Sequence, residues 1–146
     1  MSPDTMHPEA ASVLIVDDEP PARSRLKQLV ADLEGFRVVG EAGHGAQVLI
    51  ADGNYPLATR SNPDGYRVFL NLEPGKLTVT DVLSVIAEAI SVEAAYVMGP
   101  DDGSEPSIFE DFREMLPETE LERLGRFEFY DMARGPDTAL AIATGE

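Results

Sequence analysis

Residues 13–16, Val-Leu-Ile-Val, are four consecutive apolar side chains that end abruptly in three carboxylates, Asp17, Asp18 and Glu19. A short run rich in β-branched residues is how a strand buried on both faces reads, and such strands belong to parallel sheets covered by helices. Asp17 and Asp18 then fall at the carboxyl end of the strand, the edge at which open α/β sheets bind ligands. Adjacent acids there repel one another unless a hard cation neutralises them. Mg²⁺, which takes one or two protein carboxylates and keeps several waters, is the cation this arrangement implies. The same residues also suit a helix start, because Pro20 and Pro21 fit a first helical turn and acidic side chains favour helix N-termini. One acid can cap while its neighbour binds.

Downstream, Ala22, Leu26, Leu29, Val30 and Leu33 recur at three and four, which predicts an amphipathic helix stopping at Gly35. Residues 36–42 read as a second strand, Gly43-His44-Gly45 as a turn, and residues 46–51 as a short helix. Residues 52–65 hold Gly, Asn, Pro, Ser and Asp with little apolar periodicity, so they are the candidate insertion or junction in the chain. Residues 66–70 read as a third strand with Asn71 at its carboxyl end. Residues 76–90 give the clearest helix, with Val79, Val82, Leu83, Ile86 and Ile90 on one face and a capping-box start at Thr78 and Asp81. A fourth strand is predicted at 94–98, ending at Gly99, and another amphipathic stretch runs from Ile108 to Leu116. Helical character continues through Leu121 and Leu124. The alternation of Phe127, Glu128 and Phe129 predicts a fifth strand over 127–132, and a short helical tail follows Pro136.

This order of elements predicts an α/β fold, a doubly wound, flavodoxin-like five-stranded parallel sheet with helices on both faces. Residues 1–11 read as a disordered leader and residues 12–146 as a single domain, which suits a chain of 146 residues. The formal charge of −16, from 27 acidic and 11 basic residues, repels phosphate backbones and anionic lipid. Direct nucleic-acid or membrane-surface binding is therefore disfavoured. There is no cysteine, which removes disulfides and thiolate chemistry, and only His7 and His44 are present, too few for a His-rich metal site. No secretion signal or membrane-length apolar stretch is visible, so a cytoplasmic location is expected.

The segment from Ser12 to about Ala42, above all the wording Val-Asp-Asp-Glu-Pro-x-Ala-Arg at residues 16–23, resembles the opening of a two-component response-regulator receiver domain, with greatest similarity to regulators carrying a LytTR-type DNA-binding domain. The resemblance implies a phosphorelay signalling module with a sensor histidine kinase or another signalling protein as partner. It implies a metal site at Asp17, Asp18 and Asn71, with Asn71 standing where a receiver has its phospho-accepting Asp. An amide is a poor nucleophile toward phosphorus, so the module is expected to be atypical and to act through protein contacts. Pro74-Gly75 follows Asn71 much as a receiver's Pro-Gly follows its acceptor. The switch positions are altered as well: Gly99 replaces a hydroxyl residue, and Arg134 stands near the place of the phosphate-binding Lys. Two other readings stay open, a small Mg²⁺-dependent phosphohydrolase with Asp17 as nucleophile, and a non-catalytic interaction domain with no metal site.

Overall fold

A computed structural model describes residues 11–16, 19–43 and 45–146. The chain divides into two compact units, Met1–Ala46 and Gln47–Glu146, a division that falls ahead of the 52–65 stretch.

In the first unit, β1 (Ala11–Val16) and β2 (Phe36–Ala42) pair in parallel, joined by α1 (Pro20–Ala31). The pairing slips once, between Val13 and Leu14. Pro20 and Pro21 open α1, where a missing N–H costs nothing, and Gly35 takes the left-handed conformation (φ +84°) that ends the turn after it. Ile15 is buried, but Leu26, Leu29 and Leu33 of the expected apolar stripe are 40%, 55% and 55% exposed. Two strands are too narrow a floor to cover a twelve-residue helix.

The second unit contains β3 (Gln47–Ala51), β4 (Tyr66–Phe69), α2 (Val79–Ala89), β5 (Ala95–Met98), α3 (Ile108–Met115), β6 (Leu121–Leu124), α4 (Arg126–Arg134) and β7 (Thr138–Ala143). Its strands form one sheet in the order β3-β7-β4 and a second pair, β5-β6, every pairing parallel. The α/β class with parallel sheets is as expected. The single five-stranded sheet is not what forms: the described residues make sheets of two, three and two strands. The last strand in sequence, β7, inserts between β3 and β4 and is the best buried of them.

Three local expectations are corrected. Residues 47–51 are a strand rather than a helix, since the four-residue apolar run at 48–51 with β-branched Val48 and Ile50 is short for a helix and well suited to a buried parallel strand. Residues 121–124 are β6, not a helical continuation. Residues 126–134 are α4, not a fifth strand: Phe129 and Ala133, four apart, turn inward, while Phe127, which suggested alternation, is 74% exposed. The tail predicted as helix is the central strand β7. The helix expected over 76–90 is α2, and its capping box is present as read: Thr78 Oγ1 accepts from the Asp81 N–H at 3.3 Å and Asp81 Oδ2 accepts from the Thr78 N–H at 3.0 Å.

The core between the three-stranded sheet and α4 is made of Leu49, Ala51, Leu57, Ala133, Ala141 and Ala143, with Tyr55 and Phe129 packed against it. Four alanines let helix and sheet approach closely, and they leave few long side chains able to swing into a void. Leu49→Ala is therefore expected to cost about 4 kcal/mol, in the upper part of the range for buried leucines, whereas Leu49→Met should cost less than about 1.5 kcal/mol. Denaturant unfolding followed by tyrosine fluorescence reads this unit alone, because all four tyrosines lie in residues 47–146. Similar losses for the two variants would contradict the close packing described.

Candidate functional site at the carboxyl edge of the three-stranded sheet

Because β3, β7 and β4 run in the same direction, the residues after each strand gather on one edge. Beyond β3 comes Asp52, beyond β7 Thr144 to Glu146, and beyond β4 Asn71. This is the edge where open parallel sheets leave backbone groups and side chains available to a ligand.

The edge is tightly built. The Thr144 N–H and Oγ1–H both donate to the Ala51 carbonyl, at 2.9 and 2.8 Å, and Thr144 is fully buried. The Gly53 N–H donates to the Glu146 carbonyl at 2.8 Å, and the Leu70 N–H to the Ala143 carbonyl at 2.8 Å. Glu146 Oε2 accepts from the Val79 N–H at 2.9 Å, which sets a carboxylate on the first turn of α2, where the helix dipole favours it.

Asp52 is the side chain that this scaffold fixes and leaves open. Its Oδ1 accepts two backbone N–H groups, from Asn54 at 2.9 Å and Tyr55 at 3.0 Å, so the carboxylate orientation is set by the chain itself. The residue is exposed, and among the described residues Oδ2 has no hydrogen-bond partner. A carboxylate held in this way accepts hydrogen bonds from hydroxyl groups and can take a proton from one.

Tyr55, three residues on, anchors the loop inward. Its hydroxyl donates to the Arg60 carbonyl at 2.6 Å, and its ring meets Phe129 and Tyr130 edge-on, with centroids 5.9 and 5.7 Å away. Burial, with the nearby Tyr130 phenol adding to it and the Arg60 charge opposing it, pushes the Tyr55 phenol up to about 12. The folded state thus holds this proton more tightly than the unfolded chain, whose tyrosines ionise near 10.0. The stability this confers is complete below that pH and is lost as pH rises from about 10 to about 12. Alkaline titration of tyrosinate absorbance should show one late step that Tyr55→Phe removes; four tyrosines ionising together would contradict the assignment.

Of the residues singled out by the receiver resemblance, Asn71, Gly99 and Arg134 fall among the described residues. Asp17 and Asp18 lie outside the described residues, as does His44. Asn71 is exposed, two residues beyond the end of β4. Gly99 is buried after β5, and the space a side chain would need there is filled by the Arg123 guanidinium. That guanidinium is held by the Pro100 and Ser104 carbonyls at 3.0 and 2.8 Å. Arg134 ends α4 and precedes β7, which puts it toward the amino end of the sheet, opposite Asn71. Pro74-Gly75 is not a turn over an acceptor site; the Gly75 N–H donates to the Gly145 carbonyl at 2.6 Å and closes over the end of β7. Among the described residues no three acids or histidines are grouped to hold a metal.

Asp52 and Glu146 are the site residues that the sequence reading passed over. The signal for Asp52 was present: Val48-Leu49-Ile50-Ala51 followed by a carboxylate repeats the pattern of residues 13–17. Reading 46–51 as helix hid it.

The unit Gln47–Glu146 is thus a parallel α/β domain with an open carboxyl edge and a backbone-fixed carboxylate on it. The chain belongs to the RbsD / FucU transport protein family, which it matches over residues 25–146. Among solved structures it is similar to RbsD from Bacillus subtilis complexed with D-ribose, with 27% identity over 84% of this chain and 82% of that one and a TM-score of 0.61. It shares the fold of FucU from Bifidobacterium longum, with 23% identity over 88% and 86% of the two chains and a TM-score of 0.58. No curated protein sequence matches it. Family membership overturns the response-regulator, two-component and phosphorelay reading, and the sensor-kinase partner rests on that resemblance alone. No helix among the described residues is long and apolar enough to cross a membrane.

Proposed function

We propose that the unit Gln47–Glu146 binds a reducing monosaccharide at the carboxyl edge of its three-stranded sheet and catalyses exchange between the sugar's ring forms. The observation that carries this reading is the likeness to RbsD complexed with D-ribose, which extends over most of both chains. The chemistry of the edge supports it, because a sugar presents a ring of hydroxyl donors and Asp52 presents a carboxylate oriented by two backbone N–H groups.

Ring exchange needs two proton transfers and the breaking and remaking of one carbon–oxygen bond, with no oxidant, reductant or metal in the scheme. The anomeric hydroxyl loses a proton, the ring oxygen gains one, and the bond between the anomeric carbon and the ring oxygen breaks to give the open-chain aldehyde. Reclosure from a different hydroxyl, or on the other face of the carbonyl, yields another form. Asp52 Oδ2 takes the hydroxyl proton in this scheme while solvent water gives a proton to the departing ring oxygen, and both transfers run in reverse on reclosure.

The test is magnetisation-transfer NMR on D-ribose with the full chain. Catalysis raises the exchange rate between the pyranose and furanose signals in proportion to protein concentration. Rates equal to those in buffer at every protein concentration would overturn the proposal.

A further inference from the structure

A second recessed surface lies at the other end of the sheet. Residues 58–63, the start of β4 and the end of α4 enclose a cleft of about 420 Å³, lined by Arg60, Arg67 and Arg134 together with Thr59 and Ser61. Its location follows from the topology. The loop leaving the carboxyl end of β3 must return to the amino end to begin the parallel strand β4, and the Asn62 amide and Gly65 are held there against the Thr138 carbonyl at the start of β7.

Three of the chain's eleven basic residues converge on this cleft, although acids outnumber bases 27 to 11, and no carboxylate lines it. Among the described residues none of the three guanidiniums is in an ion pair. Two of them are held in place without one. Arg67 donates through Nε to Ser61 Oγ at 2.9 Å and through an Nη to the Ala58 carbonyl at 3.3 Å, leaving its remaining N–H groups for another acceptor. Ser61 is itself buried and tied to the Leu57 carbonyl at 2.6 Å. Arg60 lies over the face of Tyr130, 5.2 Å from the ring centre. Arg134 is exposed at the last turn of α4.

Like charges gathered on one cleft repel, and in so acidic a chain carboxylates to neutralise them are plentiful, so their absence from the lining is informative. We infer that the cleft binds a phosphoryl group, whose tetrahedral oxygens accept several guanidinium N–H donors at once. The volume falls within the range of small-molecule sites and exceeds what a lone phosphate fills, so the group is one carried on a small organic phosphate ester. The site is separate from the Asp52 edge, and the inference does not rest on the sugar-exchange reading.

Calorimetric titration of the full chain at constant ionic strength tests it, with inorganic phosphate, glucose 6-phosphate and uncharged glucose as probes. Both phosphates should bind saturably and glucose should not; tighter binding of the ester identifies an organic phosphate as the occupant, and equal binding identifies the bare phosphoryl group. Arg134→Gln and Arg60→Gln should each weaken phosphate binding about tenfold. The Arg134 guanidinium makes no hydrogen bond or ion pair among the described residues, so its variant should unfold at the same denaturant midpoint as the parent, which separates lost binding from lost folding. Absence of saturable phosphate binding by the parent chain, or undiminished binding by both variants, would overturn the inference.

Discussion

Asp52→Asn is expected to lower the rate of ribose ring exchange about a hundredfold while leaving the fold and most sugar affinity in place. The asymmetry follows from how the residue is held. The two N–H groups of Asn54 and Tyr55 converge on Oδ1, and an amide oxygen can accept both in the same geometry, though more weakly than a carboxylate. Asparagine therefore keeps the turn after β3 and the connection into the Tyr55 anchor. It loses the basic Oδ2, replaced by an amide nitrogen that donates hydrogen bonds and cannot take a proton. Exchange rates from NMR, compared with ribose affinity measured separately, should thus split: the rate collapses, and the affinity moves by less than about tenfold, the worth of one hydrogen bond to a charged group at the low end. Full activity in Asp52→Asn would remove the carboxylate from the chemistry. A parallel loss of rate, affinity and stability would show that the residue serves only to shape the loop.

The sequence was most legible where one signal dominated. α2 could be read from the repeat of Val79, Val82, Leu83 and Ile86 and from the Thr78–Asp81 box, because local hydrogen bonds at the cap and a continuous apolar face point to the same element. It was least legible in short apolar stretches. Residues 47–51 and 138–143 are five and six residues long, and their pairing partners are distant in sequence: Leu49 pairs with Ala141, and Val68 with Ile142. No window of neighbouring residues contains that information, so β7 looked like a stunted helix and β3 like a helical turn. The site suffered the same fate. Asp17 and Asp18 stand out because they end an apolar run that reads as a strand, whereas Asp52 becomes visible only when 47–51 is recognised as a strand. The Pro74-Gly75 pair shows how a correct local reading can carry a wrong meaning: it is a turn, but one that wraps the end of a strand seventy residues downstream in sequence.

That wrapping makes Gly145→Ala a strongly destabilising substitution. Gly145 follows β7 and is enclosed by the 73–77 turn on both its backbone groups: its N–H donates to the Leu77 carbonyl at 3.2 Å, and its carbonyl accepts from the Gly75 N–H at 2.6 Å. A β-carbon there would overlap the Lys76 carbonyl and lie 2.7 Å from the Glu73 carbonyl. Both obstacles are backbone, so no rotamer change relieves them. The turn has little freedom to retreat, since Gly75 already sits at φ +79° and Leu77 at φ +52°, and Thr78 immediately begins the cap of α2. Displacing it breaks the two hydrogen bonds and disturbs the α2 cap, and the expected loss is at least about 3 kcal/mol, a large share of the stability of an ordinary domain. Gly125→Ser is the matching control. Gly125 is the N-cap of α4 with φ −67°, has open space where a β-carbon would go, and would gain a side chain suited to capping, so its stability should stay within about 0.5 kcal/mol of the parent or rise. Unfolding followed by tyrosine fluorescence distinguishes the two. A Gly145→Ala protein as stable as Gly125→Ser would mean that the 73–77 turn yields freely and does not lock the end of β7.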